Sequence, residues 1–106
     1  MNHRELKDFA TDVLREIGLH HIKKEYKTLA GRVDVVGMNA MLKVAIECGY
    51  SSKKRIMEFS KIFDGVIHIP YTLTPETFPY LSKNIAKTFQ KWLALQEKKN
   101  GEKNRS

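Results

Sequence analysis

Arg32-Val33-Asp34-Val35-Val36-Gly37, followed by Leu42-Lys43-Val44-Ala45-Ile46-Glu47-Cys48-Gly49, places one carboxylate inside each of two apolar, β-branched runs. Such runs read as neighbouring strands, and a lone carboxylate buried in either is costly unless something compensates it. Two adjacent strands can bring Asp34 and Glu47 to a common face, where a divalent cation binding both would turn that cost into a function. The competing reading is structural: Asp34 pairs with Arg32 or Lys43 and Glu47 with Lys27, as ion pairs across the sheet with no metal. Position favours a site, because exposed ion pairs have no need to sit inside apolar runs.

Upstream of these runs, Leu6, Phe9, Ala10, Val13, Leu14 and Ile17 recur at three- and four-residue steps, predicting a helix over residues 3–17 that Gly18 ends. Residues 22–29, with Ile22, Tyr26 and Thr28 among lysines, predict a half-exposed, positively charged first strand. Residues 32–37 and 41–48 follow as second and third strands, and their short connections favour antiparallel neighbours. Ser51 or Ser52 caps a second helix running to Phe63, with Ile56, Phe59, Ser60 and Phe63 on its inward stripe. Val66-Ile67-His68-Ile69 is a fourth strand, expected to be buried on both sides and stopped by Pro70. A last helix is expected from near Tyr80 to residue 97, with Phe89, Trp92, Leu93 and Leu95 on its apolar side. Residues 98–106 contain no apolar side chain and are expected to form a disordered basic tail.

A chain of 106 residues, 42% hydrophobic, fits one domain over residues 1–97 with a single modest core. Nineteen Lys and Arg against 12 Asp and Glu give a net charge of +7, which favours a polyanionic partner. No apolar run approaches the roughly 20 residues that cross a bilayer, and the N-terminus lacks a signal core. Cys48 is the only cysteine and cannot form an intramolecular disulfide, so the expectation is a soluble, cytoplasmic protein without membrane partners.

The order helix, three strands, helix, strand, helix gives an α/β sandwich with a small mixed sheet. With Asp34 in the second strand and Glu47-Cys48-Gly49 ending the third, the chain resembles the restriction-endonuclease-like superfamily, the PD-(D/E)XK nucleases. Within that superfamily it looks most like small archaeal Holliday-junction resolvases, over residues 3–71. The resemblance implies an α-β-β-β-α-β core and a metal-dependent endonuclease acting on duplex or branched DNA as a homodimer. It also implies Mg²⁺, or Mn²⁺, held by Asp34, Glu47 and the backbone carbonyl of Cys48. Gly49 departs from the pattern, for it stands where the family has its catalytic lysine.

Phosphodiester hydrolysis needs a positioned water, a Lewis acid on the phosphate and a cation to offset developing charge. Lys43 shares a strand face with Glu47 but lies about 13 Å away at strand rise, too far for a shared phosphate. Lys53, and after it Lys54, at the start of the second helix, is the candidate to replace the missing lysine; relatives relocate it to neighbouring elements. If the rest of the site is intact, Gly49→Lys is expected to raise activity. Glu5 is the best-phased acid of the first helix for the additional carboxylate that resolvase-like relatives carry, against a plain role at the helix N-terminus.

Lys23, Lys24 and Lys27 on the first strand, with Lys53, Lys54 and Arg55, are candidates to grip phosphates on either side of the carboxylates. Tyr50, beside the site, is the candidate to stack on a base; the other tyrosines read as core or rim. The four histidines show no zinc-site spacing: His20 and His21 diverge on a strand, His68 is isolated in the fourth strand, and His3 is expected at a mobile start. Two further readings stay open. One is a catalytically degenerate relative that binds DNA or a protein partner without cleavage, and the other is a small basic protein that binds RNA or serves as an assembly subunit.

Overall fold

The computed structural model describes residues 2–72 and, beyond them, Lys87, Ala94 and Lys98 alone. The expected C-terminal helix and basic tail therefore lie, but for those three positions, outside the described residues. Helix α1 (His3–Glu16) precedes strands β1 (His21–Thr28), β2 (Gly31–Met38) and β3 (Lys43–Cys48), then helix α2 (Lys53–Ser60) and strand β4 (Gly65–Ile69). The chain is thus a mixed α/β protein with the expected order α-β-β-β-α-β. Its sheet runs β1-β2-β3-β4. The two hairpin-linked pairs are antiparallel, whereas β3 and β4, joined through α2, are parallel, because a parallel return needs a long crossover connection.

Helix α1 begins at Asn2, whose side chain accepts the Glu5 N–H at 2.8 Å. Its stripe of Leu6, Phe9, Ala10, Val13 and Leu14 packs with Val35, Val44 and Ile46. Gly37 of β2 is what lets the helix come so close: a Cβ there would stand 2.8 Å from a methyl of Leu14. On the other face of the sheet, Phe59 and Phe63 pack with Val33, Val36 and Ala45. The two helices therefore cover opposite faces, and β3 shares its alternating side chains between them.

Three expectations are corrected. Ser60 is exposed, not inward, and its hydroxyl donates to the Met57 carbonyl at 2.7 Å. Helix α2 ends there because Lys61 is already its C-cap, so Phe63 reaches the core from the turn that follows. Strand β4 is an edge of the sheet among the described residues; Val66 and Ile67 are only half-buried, His68 is exposed, and Ile69 alone is fully buried. β1, by contrast, is as exposed as its lysines suggest.

Candidate functional site

The antiparallel ladder between β2 and β3 runs from Met38 opposite Lys43 to Val35 opposite Ile46 and stops. One further step would set Asp34 opposite Glu47. There the two carboxylates take over the hydrogen bonding: the Cys48 N–H donates to Asp34 Oδ2 at 2.8 Å, and the Asp34 N–H donates to Glu47 Oε1 at 3.3 Å. Side chains thus satisfy amide groups that a buried backbone cannot leave unpaired. The neighbouring ladder is interrupted at the same level. Lys24 pairs with Val35 and Tyr26 with Val33, but Glu25, which faces Asp34 by register, has a left-handed backbone with φ of 54°. Alternation along β2 breaks as well, since Val33 and Val36 lie in one core and Val35 in the other. Such an interruption re-aims a side chain out of its expected face.

Asp34 consequently turns toward α1. Its Oδ1 lies 3.1 Å from His3 Nε2, and His3 Nδ1 lies 3.2 Å from the Tyr71 hydroxyl. Glu25 joins this group, and ligand atoms of His3, Glu25 and Asp34 all lie within 4.8 Å of one another. Lys7 from α1 donates to Glu25, and Arg32 stands 3.7 Å from its other oxygen. The hydrogen bond from Lys7, together with the charges of Lys7, Arg32 and His3, holds the Glu25 carboxyl below its ordinary pKa against the opposing effect of burial.

Glu47 turns the other way. Only 3% of it is exposed, and its Oε2 accepts the Arg55 Nε–H at 3.0 Å and the Ser51 hydroxyl at 3.4 Å. Arg55 is itself fixed: its guanidinium lies 5.0 Å from the centre of the Phe59 ring and donates to the Arg32 carbonyl. Mg²⁺ clamped between two carboxylates needs open lone pairs on both. Glu47 already accepts from the Asp34 N–H on Oε1 and from Arg55 and Ser51 on Oε2, so a Mg²⁺ shared with Asp34 would compete with the Arg55 brace for this carboxylate. Between the acids, Cys48 is buried, and burial first, then the charges of Asp34 and Glu47, pushes its thiol up to about 12. The buried thiol is thus held in its protonated form at neutral pH.

The space beside Gly49, where the nuclease-like resemblance expects a lysine, is filled by Tyr71. Gly49 has φ of +84°, and a Cβ there would stand 2.4 Å from the Tyr71 ring, so Gly49→Lys cannot restore a cation without displacing that ring. Tyr50 is 91% exposed and meets Tyr71 edge-on at 5.1 Å between ring centres. Of the three basic residues opening α2, Arg55 reaches a carboxylate, whereas Lys53 and Lys54 are exposed and pair with no other described residue. Glu5 is exposed and accepts from the Asn2 cap at 3.3 Å, while His3 and Lys7 of the same helix reach the acidic group. Lys23 and Lys27 are exposed, and Lys24 pairs with Asp8 at 3.1 Å. Lys43 reaches neither acid; it donates to the Tyr26 hydroxyl at 3.3 Å.

Sequence reading missed His3, Glu25 and Tyr71. The signal for Glu25 was available, because the turn that links β1 and β2 sets it opposite Asp34. Nothing local marks His3 or Tyr71, which meet from the two ends of the described chain. Compared with protein-family models, with curated proteins and with solved structures, the chain matches none. Among the described residues no helix is long and apolar enough to cross a membrane.

Proposed function

We propose that this protein binds the phosphate backbone of duplex or branched DNA through the opening of α2, and that Asp34 and Glu47 do not act together as a Mg²⁺ clamp. The reading rests on one observation. The first turn of α2 holds Lys53, Lys54 and Arg55 and no acid, and only Arg55 is neutralised there, by Glu47. Cations at a helix N-terminus oppose the positive end of the macrodipole, and an anion at that place relieves both. Lys53 and Lys54 are exposed, Tyr50 projects two residues before the Ser52 cap, and a net charge of +7 attracts a polyanion over longer range. The α-β-β-β-α-β order suits the degenerate branch of the nuclease-like resemblance, with Arg55 closing one acid and Tyr71 occupying the lysine's place.

Cleavage is the second reading, favoured by the partly accessible Asp34 carboxylate, which no lysine or arginine neutralises among the described residues. The test measures binding and cutting together, on branched, duplex and single-stranded DNA, in Mg²⁺ and in Mn²⁺. Lys53→Ala with Lys54→Ala is expected to weaken DNA binding by about tenfold and to lower the salt slope by about two, with no cleavage by the unaltered chain. Cleavage lost in Asp34→Ala or Glu47→Ala would instead return the protein to the metal-dependent nucleases.

A further inference from the structure

The geometry points to a second site, independent of DNA binding: a pocket for one divalent transition ion, Zn²⁺ or Mn²⁺, formed by His3, Glu25 and Asp34. Three elements supply the donors, α1, β1 and β2, and the donor atoms already lie within 4.8 Å of one another. Two of the ligands are also held from behind. The Tyr71 hydroxyl sits on His3 Nδ1 and leaves Nε2 facing the group, and the Cys48 N–H holds Asp34 Oδ2 and leaves Oδ1 facing it. Partners of this kind fix the tautomer and orientation of metal ligands and tune their basicity. Charge agrees as well. Two cations already rest against the group, the Lys7 ammonium on one Glu25 oxygen and the Arg32 guanidinium 3.7 Å from the other, and an incoming ion would take over from the Lys7 ammonium.

The donor set selects the ion. One imidazole nitrogen and two carboxylates suit Zn²⁺ or Mn²⁺, whereas Mg²⁺ and Ca²⁺ prefer oxygen alone. Access is adequate, for the side chains of His3, Asp34 and Glu25 are 42%, 17% and 41% exposed. Glu47, braced by Arg55, is not needed.

Titration calorimetry of the full chain with ZnCl₂, MnCl₂ and MgCl₂ tests this, with far-UV circular dichroism as a check on folding. The expected result is one Zn²⁺ per chain, bound at least tenfold more tightly than Mg²⁺. His3→Ala and Asp34→Asn are each expected to weaken Zn²⁺ at least tenfold, while His21→Ala, outside the group, changes nothing. Lys7→Met removes the competing ammonium and is expected to tighten Zn²⁺ severalfold, with one ion per chain and a far-UV spectrum unchanged from the unaltered protein. Zn²⁺ affinity no better than that of Mg²⁺, affinity indifferent to Asp34→Asn, or affinity weakened by Lys7→Met would overturn the inference. Because the readout is the metal alone, its failure leaves the DNA reading standing, and the reverse also holds.

Discussion

Asp34 and Glu47 are one residue step from facing each other across β2 and β3, yet they end in opposite environments. Glu47, with 4% of its side chain exposed, is held by a guanidinium that is itself held by Phe59 and by a backbone carbonyl. Asp34, with 17% of its side chain exposed, faces an imidazole and a second carboxylate, groups that can exchange partners. Burying a carboxylate is tolerated only with compensation. The kind of compensation then decides what the acid can do: a fixed cation makes a brace, and a rearrangeable neighbour leaves a ligand.

The largest effect expected from breaking this contrast is on the brace. Arg55→Met leaves Glu47 buried without its cation, which costs about 2–4 kcal/mol, somewhat tempered because Arg55 is partly exposed. Urea unfolding checks it, and a loss under 1 kcal/mol would mean that water replaces the guanidinium. Next comes Gly49→Ala, which places a Cβ in a left-handed backbone and against Tyr71. We expect about 2 kcal/mol from backbone strain and displaced ring together. Because Tyr71 also contacts His3, the same variant is expected to disturb the Asp34 side, visible as a shift of the His3 ring resonances by NMR.

The smallest effect concerns pH. Glu25 has a folded pKa lowered from 4.5, so its contribution to stability is complete above the unfolded value and is lost as pH falls through the folded one. Thermal unfolding between pH 7 and pH 5 should therefore show nothing from this residue, and Glu25→Gln should flatten a decline that begins only below about pH 4.5. A decline of the same steepness in that variant would assign the acid sensitivity elsewhere.

Much of the fold was legible in the chain. The three- and four-residue recurrence from Leu6 to Leu14 marks α1, and the β-branched runs around Asp34 and Glu47 mark β2 and β3, because burial on one or two faces imposes those periods. Ser60, the last residue of α2, was misplaced because it stands at the margin of the Phe59 stripe, where its hydroxyl turns back to the Met57 carbonyl instead of facing the core. The site was harder to read for a physical reason. Strict alternation predicts which face Asp34 occupies, but the interruption at Glu25 and Asp34 resets that phase, and no local pattern announces it. Arg55 was visible as a cation near the acids, yet its assignment to Glu47 depends on how α2 folds back over the sheet, which is tertiary geometry. The meeting of His3 with Tyr71, 68 residues apart, is of the same kind.

The separation of the two acids is tested most directly by a double-mutant cycle on Glu47→Gln and Arg55→Met, read by urea unfolding. A brace predicts a coupling energy of at least about 1.5 kcal/mol, with the double variant more stable than Arg55→Met alone, because the uncompensated charge has gone. Additive losses, with no recovery in the double variant, would contradict it and leave Glu47 free to serve beside Asp34.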